Sequence, residues 1–96
     1  MAEESRLEKI LVRRVQRELG GFALKWVSPG TRGVPDRIVI LPDGNIAFVE
    51  MKAPGGSLHP LQEHMIKKLG EKGHDVYVLA SESDIDEFVR RIERMT

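Results

Sequence analysis

Two β-prone runs around one tight turn constrain this chain more than any other feature. Residues 37–41 read Arg-Ile-Val-Ile-Leu, residues 46–52 read Ile-Ala-Phe-Val-Glu-Met-Lys, and Pro42-Asp43-Gly44 lies between them. Proline presets φ, aspartate bonds its own backbone, and glycine accepts the left-handed position of a three-residue loop. Closing that loop pairs Leu41 with Asn45 in an antiparallel hairpin. Every further pair is then symmetric about Asp43, which sets Asp36 opposite Glu50.

The remaining segments follow from periodicity and breakers. Leu7, Ile10, Leu11, Val15 and Leu19 recur at helical spacing, so residues 4–19 form an amphipathic helix that Gly20-Gly21 ends. Residues 22–27 (Phe-Ala-Leu-Lys-Trp-Val) are a first strand, in which Trp26 continues the packing face of Phe22 and Leu24. Ser28-Pro29-Gly30-Thr31-Arg32-Gly33-Val34-Pro35 is a loop. Pro60 opens a helix to about Glu71, with Leu61, Met65 and Leu69 on one face. Residues 75–80 are apolar enough to be expected at the centre of the sheet. Ser83 with Asp86 resembles a capping box before a last helix that buries Ile85, Phe88, Val89 and Ile92. The order is αβββαβα, an α/β domain with a crossover helix after the hairpin.

Length and composition set the class. The chain has 96 residues and no cysteine, which predicts one domain over residues 1–96 without a disulfide scaffold, thiolate zinc site or cysteine nucleophile. His59, His64 and His74 are not spaced as a zinc set and read as surface or cap residues. No apolar run approaches the ~18 residues of a membrane span, and the N-terminus lacks a signal-peptide layout. A cytoplasmic domain is expected. Fifteen basic and fifteen acidic residues cancel, yet residues 1–37 carry eight basic against five acidic groups. Charge alone leaves the partner open.

The chemistry sits at the end of the second hairpin strand. Glu50 and Lys52 are two apart and share a face, and Asp36 opposite Glu50 joins them, with Cβ atoms about 5 Å apart. Two carboxylates so close repel unless something positive lies between them. A divalent cation resolves this, since Mg²⁺ favours one or two carboxylates, waters and a substrate phosphate. The plainer alternative is a solvated cross-strand cluster.

Pro35-Asp36 followed by Glu50-Met51-Lys52 resembles the PD-(D/E)XK nuclease signature. The fuller wording, Leu24-Lys25-Trp26-Val27-Ser28-Pro29-Gly30, Gly33-Val34-Pro35-Asp36-Arg37, Phe48-Val49-Glu50-Met51-Lys52-Ala53-Pro54-Gly55-Gly56 and Leu61-Gln62, is similar to the virus-type replication-repair nuclease (VRR-NUC) domain. That family comprises stand-alone phage and bacterial proteins and the C-terminal part of a DNA-repair nuclease. Its plan is similar to that of the archaeal Holliday-junction resolvases, which are homodimers. The resemblance implies a restriction-endonuclease-like fold with a central mixed four-stranded sheet flanked by helices. It also implies Asp36, Glu50 and Lys52 as the catalytic set, with Mg²⁺ or Mn²⁺ as cofactor.

The family also uses a glutamate on the first helix. At about 100° per residue Glu8 falls inside the apolar arc, between Val15 and Leu19, where a carboxylate is costly unless paired or metal-bound. Glu8 is therefore the expected third acid and Glu4 the fallback; a glutamate at the core margin is the alternative. The Met51 main-chain carbonyl is a further expected metal ligand. Gln62 lies by the site in the family and is placed with the catalytic group, although on spacing alone it is a surface residue at a helix start. Lys25, Arg32 and Arg37 flank the breaker loop and are expected on DNA phosphates, with Ser28 and Thr31, unless they form a solvated rim.

Together these readings give a metal-dependent, structure-selective DNA endonuclease of replication, repair or recombination, with four-way junctions among its substrates. A homodimer pairing through the first helix and the last strand–helix segment is expected, with a monomer that nicks flaps as the counter-reading. A non-catalytic nucleic-acid-binding module and a nuclease for flaps, single strands or RNA are the alternatives.

Overall fold

The computed structural model describes residues 2–95, so Met1 and Thr96 of the expected domain lie outside the described residues. Seven elements follow in the expected order: α1 (Ala2–Glu18), β1 (Phe22–Lys25), β2 (Arg37–Ile40), β3 (Ile46–Met51), α2 (Pro60–Glu71), β4 (Val76–Leu79) and α3 (Glu82–Met95). The four strands make one mixed sheet, ordered β1-β2-β3-β4. β1, β2 and β3 run antiparallel in sequence, whereas β4 joins β3 in parallel after the α2 crossover.

The hairpin has the expected register. Leu41 N–H donates to Asn45 O at 3.0 Å, Gly44 takes φ +87, and Arg37 faces Val49. Asp43 acts on its own backbone as aspartate does in such turns, its Oδ1 accepting from Asn45 N–H at 3.2 Å. The strands are shorter than their β-prone runs, and Val27 lies exposed beyond β1.

Alternation along β3 divides the molecule. Ala47, Val49 and Met51 point to the face covered by α1 and α3, where Leu7, Leu11, Val15, Val39, Ile85, Phe88, Val89 and Ile92 complete the core. Ile46, Phe48 and Glu50 point the other way. On that face α2 contacts β4, and Phe22, Leu24 and Ile46 remain about half exposed at 52%, 50% and 52%. Trp26 packs against Phe48 with ring centroids 5.4 Å apart, and His74 meets the same ring edge-on. Among the described residues no helix is long and apolar enough to cross a membrane.

Two expectations are corrected. β4 lies at a sheet edge, not the centre. Apolar residues on both faces of a strand report cover above and below, and α3 and α2 give β4 that cover with only β3 beside it. The cap of α3 is Ser81 with Asp84, not Ser83 with Asp86. Ser81 Oγ accepts from Asp84 N–H at 3.0 Å, and Asp84 Oδ2 accepts from Ala80 N–H at 2.8 Å. Asp86 instead pairs with Arg14 of α1.

Candidate active site

The ends of β2 and β3 bring Asp36, Glu50 and Lys52 together. Asp36 precedes β2 by one residue, and its carbonyl accepts from Trp26 N–H at 2.9 Å, which extends the β1–β2 ladder past the strand end. Its side chain turns to β3, where Oδ2 accepts from Met51 N–H at 2.9 Å. Lys52 N–H donates to Leu79 O at 2.9 Å, so β4 fixes the backbone that carries the lysine. Lys52 Nζ then lies 3.7 Å from Glu50 Oε2.

Glu50 is the one charged residue buried among the described residues, 2% exposed. Burial, then the neighbouring Asp36 charge, pushes its carboxyl up to about 7, and Lys52 opposes that only in part. Asp36 is also raised, first by burial; its bond from Met51 N–H pulls the other way. Both acids thus hold their protons more tightly than they would in water.

Gln62 reaches the site from the first turn of α2. Its Nε2 donates to Glu50 Oε2 at 2.7 Å while its Oε1 accepts from His59 N–H at 2.9 Å. The amide is therefore held at both ends, and His59 serves at the helix start. Gly33 makes this approach possible, and the motif reading missed it. At φ +86, a Cβ on Gly33 would sit 2.3 Å from Leu61 O and 2.6 Å from its carbonyl carbon. The breaker loop and the first turn of α2 touch backbone to backbone there. A glycine in a loop of breakers was the available signal, but its partner is distant in sequence.

The first-helix acid expected in the site has an arginine partner. Glu8 Oε2 accepts from Arg37 Nε at 2.7 Å, and Arg37 also donates to Ala23 O at 3.1 Å. Glu8 and Arg37 are thus engaged with each other, joining α1 to β1 and β2. The Glu8 and Glu4 charges both raise Asp36, and Glu4 also raises Glu50. Among the described residues no three acidic, histidine or cysteine side chains converge as a metal-holding group. The site therefore has two carboxylates together, with the α1 acids nearby. Lys25, Thr31 and Arg32 are exposed; Ser28 is half-buried, and its carbonyl accepts from Thr31 N–H at 3.1 Å.

The donor chemistry suits a hard divalent cation. Two carboxylates and main-chain oxygens are what Mg²⁺ takes while it keeps several waters. A cation beside Glu50 and Asp36 would offset the cost of ionising two neighbouring carboxyls, one buried and one half-buried.

Comparison with known proteins supplies the family. A match to the VRR-NUC domain family runs over residues 2–83. Putative nuclease p44 of Acyrthosiphon pisum secondary endosymbiont phage 1 is 51% identical over 82 residues, covering 85% of this chain and 87% of that protein. A solved VRR_NUC domain matches with a TM-score of 0.85 at 32% identity, covering 92% of this chain and 95% of its own. The matched span includes Asp36, Glu50, Lys52 and Gln62, and the chain belongs to the VRR-NUC domain family.

Proposed function

We propose that this chain is a divalent-metal-dependent DNA endonuclease acting in the cytoplasm on branched DNA in replication, repair or recombination, four-way junctions included. The observation that supports it most is Glu50, a 2% exposed carboxylate set against Asp36 with Lys52 as its ion-pair partner. A fold that only bound nucleic acid would have no use for clustered acids facing a polyanion.

Asp36, Glu50 and the Met51 carbonyl would hold Mg²⁺ or Mn²⁺, with Glu4 or Glu8 as the α1 acid. When bound, the metal supplies Lewis acidity toward a phosphoryl oxygen and lowers the pKa of water. Lys52 donates to a non-bridging phosphate oxygen and orients the attacking water. The water oxygen bonds to phosphorus and gives up one proton to solvent, as the bond to O3′ breaks and O3′ takes up a proton from solvent. The products carry a 5′-phosphate and a 3′-hydroxyl. Gln62 holds the Glu50 carboxylate in place. Lys25, Ser28, Thr31 and Arg32 contact substrate phosphates, and the active unit is a homodimer.

Cleavage of junction, flap, duplex and single-strand DNA in Mg²⁺, Mn²⁺ and EDTA tests the reading, with Mn²⁺ calorimetry alongside. Asp36→Ala and Glu50→Ala should lose both cleavage and metal binding. Lys52→Ala should lose cleavage and keep metal, because an ammonium has no lone pair to donate. Full activity in either acid variant defeats the mechanism. A wild type that binds DNA and cuts none of these substrates would leave a binding module.

A further inference from the structure

The charge imbalance of the N-terminal third has a place in the fold. A groove of about 520 Å³ runs between α1 and the β1–β2 edge, lined by Lys9, Arg13, Arg17, Lys25 and Arg37 with Glu8 as its one acid. Five cations meet there in a molecule whose formal net charge is zero. Their availability matters more than their number. Arg6 is bound to Glu3 and Glu82, and Arg14 to Glu18 and Asp86, so those two fasten α1 to itself and to α3. Among the described residues, the side chains of Lys9, Arg13, Arg17 and Lys25 have neither a hydrogen bond nor an ion pair, and all four residues are exposed.

Lys9, Arg13 and Arg17 are spaced four apart, so they form one stripe rising about 6 Å per step. That step is close to the spacing of successive phosphates along a nucleic-acid strand. The groove's inner end is the Glu8–Arg37 pair at the end of β2, where the Glu8 charge is close enough to act on Asp36. Val12 is the apolar residue in its lining, and no aromatic ring offers a stacking platform. Such a surface reads backbone charge, not bases.

We propose that this groove is a phosphate track that carries one strand of the nucleic-acid substrate from the Asp36/Glu50 site along α1. The proposal rests on the nuclease reading and adds Lys9, Arg13 and Arg17 to it as binding residues. An acidic partner protein, or the acidic face of a second copy, is the competing occupant.

Anisotropy of a labelled flap DNA, measured in EDTA over a series of NaCl concentrations, separates these. Arg13→Ala/Arg17→Ala should bind ~10-fold more weakly at low salt, and its log–log salt slope should fall by about 1.4 to 1.8 for two lost phosphate contacts. Arg13→Lys/Arg17→Lys should restore the slope. Arg90→Ala/Arg94→Ala on α3, with the same change in net charge, should leave it unchanged. Equal losses in the α1 and α3 pairs would overturn the track in favour of a diffuse field. An unchanged slope with altered sedimentation would overturn it in favour of a protein occupant. Because EDTA suppresses metal-dependent cleavage, the slope judges the track even if the wild type cuts no DNA. A wild type that cuts while the α1 pair binds normally sinks the track alone.

Discussion

Glu50 holds its proton far more tightly in the native state than an ordinary glutamate does. Its folded pKa is about 7 against an ordinary 4.5, with burial and the Asp36 charge as causes. Between those values the native chain binds a proton that the unfolded chain has released, so stability falls as pH rises through that window. Full ionisation costs on the order of 3 kcal/mol. Glu50→Gln should therefore raise the melting temperature near pH 8, leave it close to wild type near pH 4, and flatten the profile between. A variant melting profile parallel to wild type would contradict this. Mn²⁺ should stabilise the wild type most above pH 7, where Glu50 is ionised, and that shift should vanish in Asp36→Ala. The meeting of Asp36, Glu50 and Lys52 was legible because alternation and hairpin symmetry are local rules. The partner of Glu8 was not. A helical wheel places Glu8 in the buried arc, but the arginine it meets depends on how α1 crosses the sheet.

At the level of elements, the contact between the breaker loop and α2 is the joint on which the site depends. Gly33→Ala adds a Cβ 2.3 Å from Leu61 O at φ +86, so the loop or the first turn of α2 must move. The cost should be ~1–3 kcal/mol. It should reach cleavage as well, because the displaced turn carries the Gln62 bond to Glu50. Gln62→Ala should reproduce the fall in cleavage with a smaller loss of melting temperature. A Gly33→Ala protein of wild-type stability and activity would show that the joint is slack. The cap of α3 gives a second comparison: Ser81→Ala should cost ~1 kcal/mol and Ser83→Ala much less. Thermal melts of the two separate them. Both serines have an aspartate three residues on, so sequence spacing alone could not choose between them. What decides is which backbone N–H groups are left orphaned, and that is fixed where β4 ends.

For the whole molecule, the faces differ in what they offer a second copy. The outward surface of α1 carries Lys9, Arg13 and Arg17, and two such stripes repel, which argues against pairing through the first helix. The half-exposed Phe22, Leu24 and Ile46 lie on the opposite face of the sheet, the face on which α2 contacts β4 and reaches β3 through the Gln62–Glu50 bond. Ile46 is four residues before Glu50 on β3, about 13 Å along the strand. A two-fold contact around Phe22 and Ile46 would thus leave both Asp36/Glu50 sites and both α1 grooves open. One site cuts one strand, so paired symmetric nicks in a four-way junction require two sites related by such an axis. Phe22→Glu/Ile46→Glu should therefore sediment as a monomer, keep its melting temperature to within a few degrees, and nick a flap while losing paired cuts in a junction. Exposed apolar groups contribute little to the monomer, so the fold should survive the change. A wild type that sediments as a monomer at micromolar concentration and cuts junctions on one strand only would dispose of the dimer. The carboxylate pair, Lys52 and the α1 groove would then belong to a flap-nicking monomer.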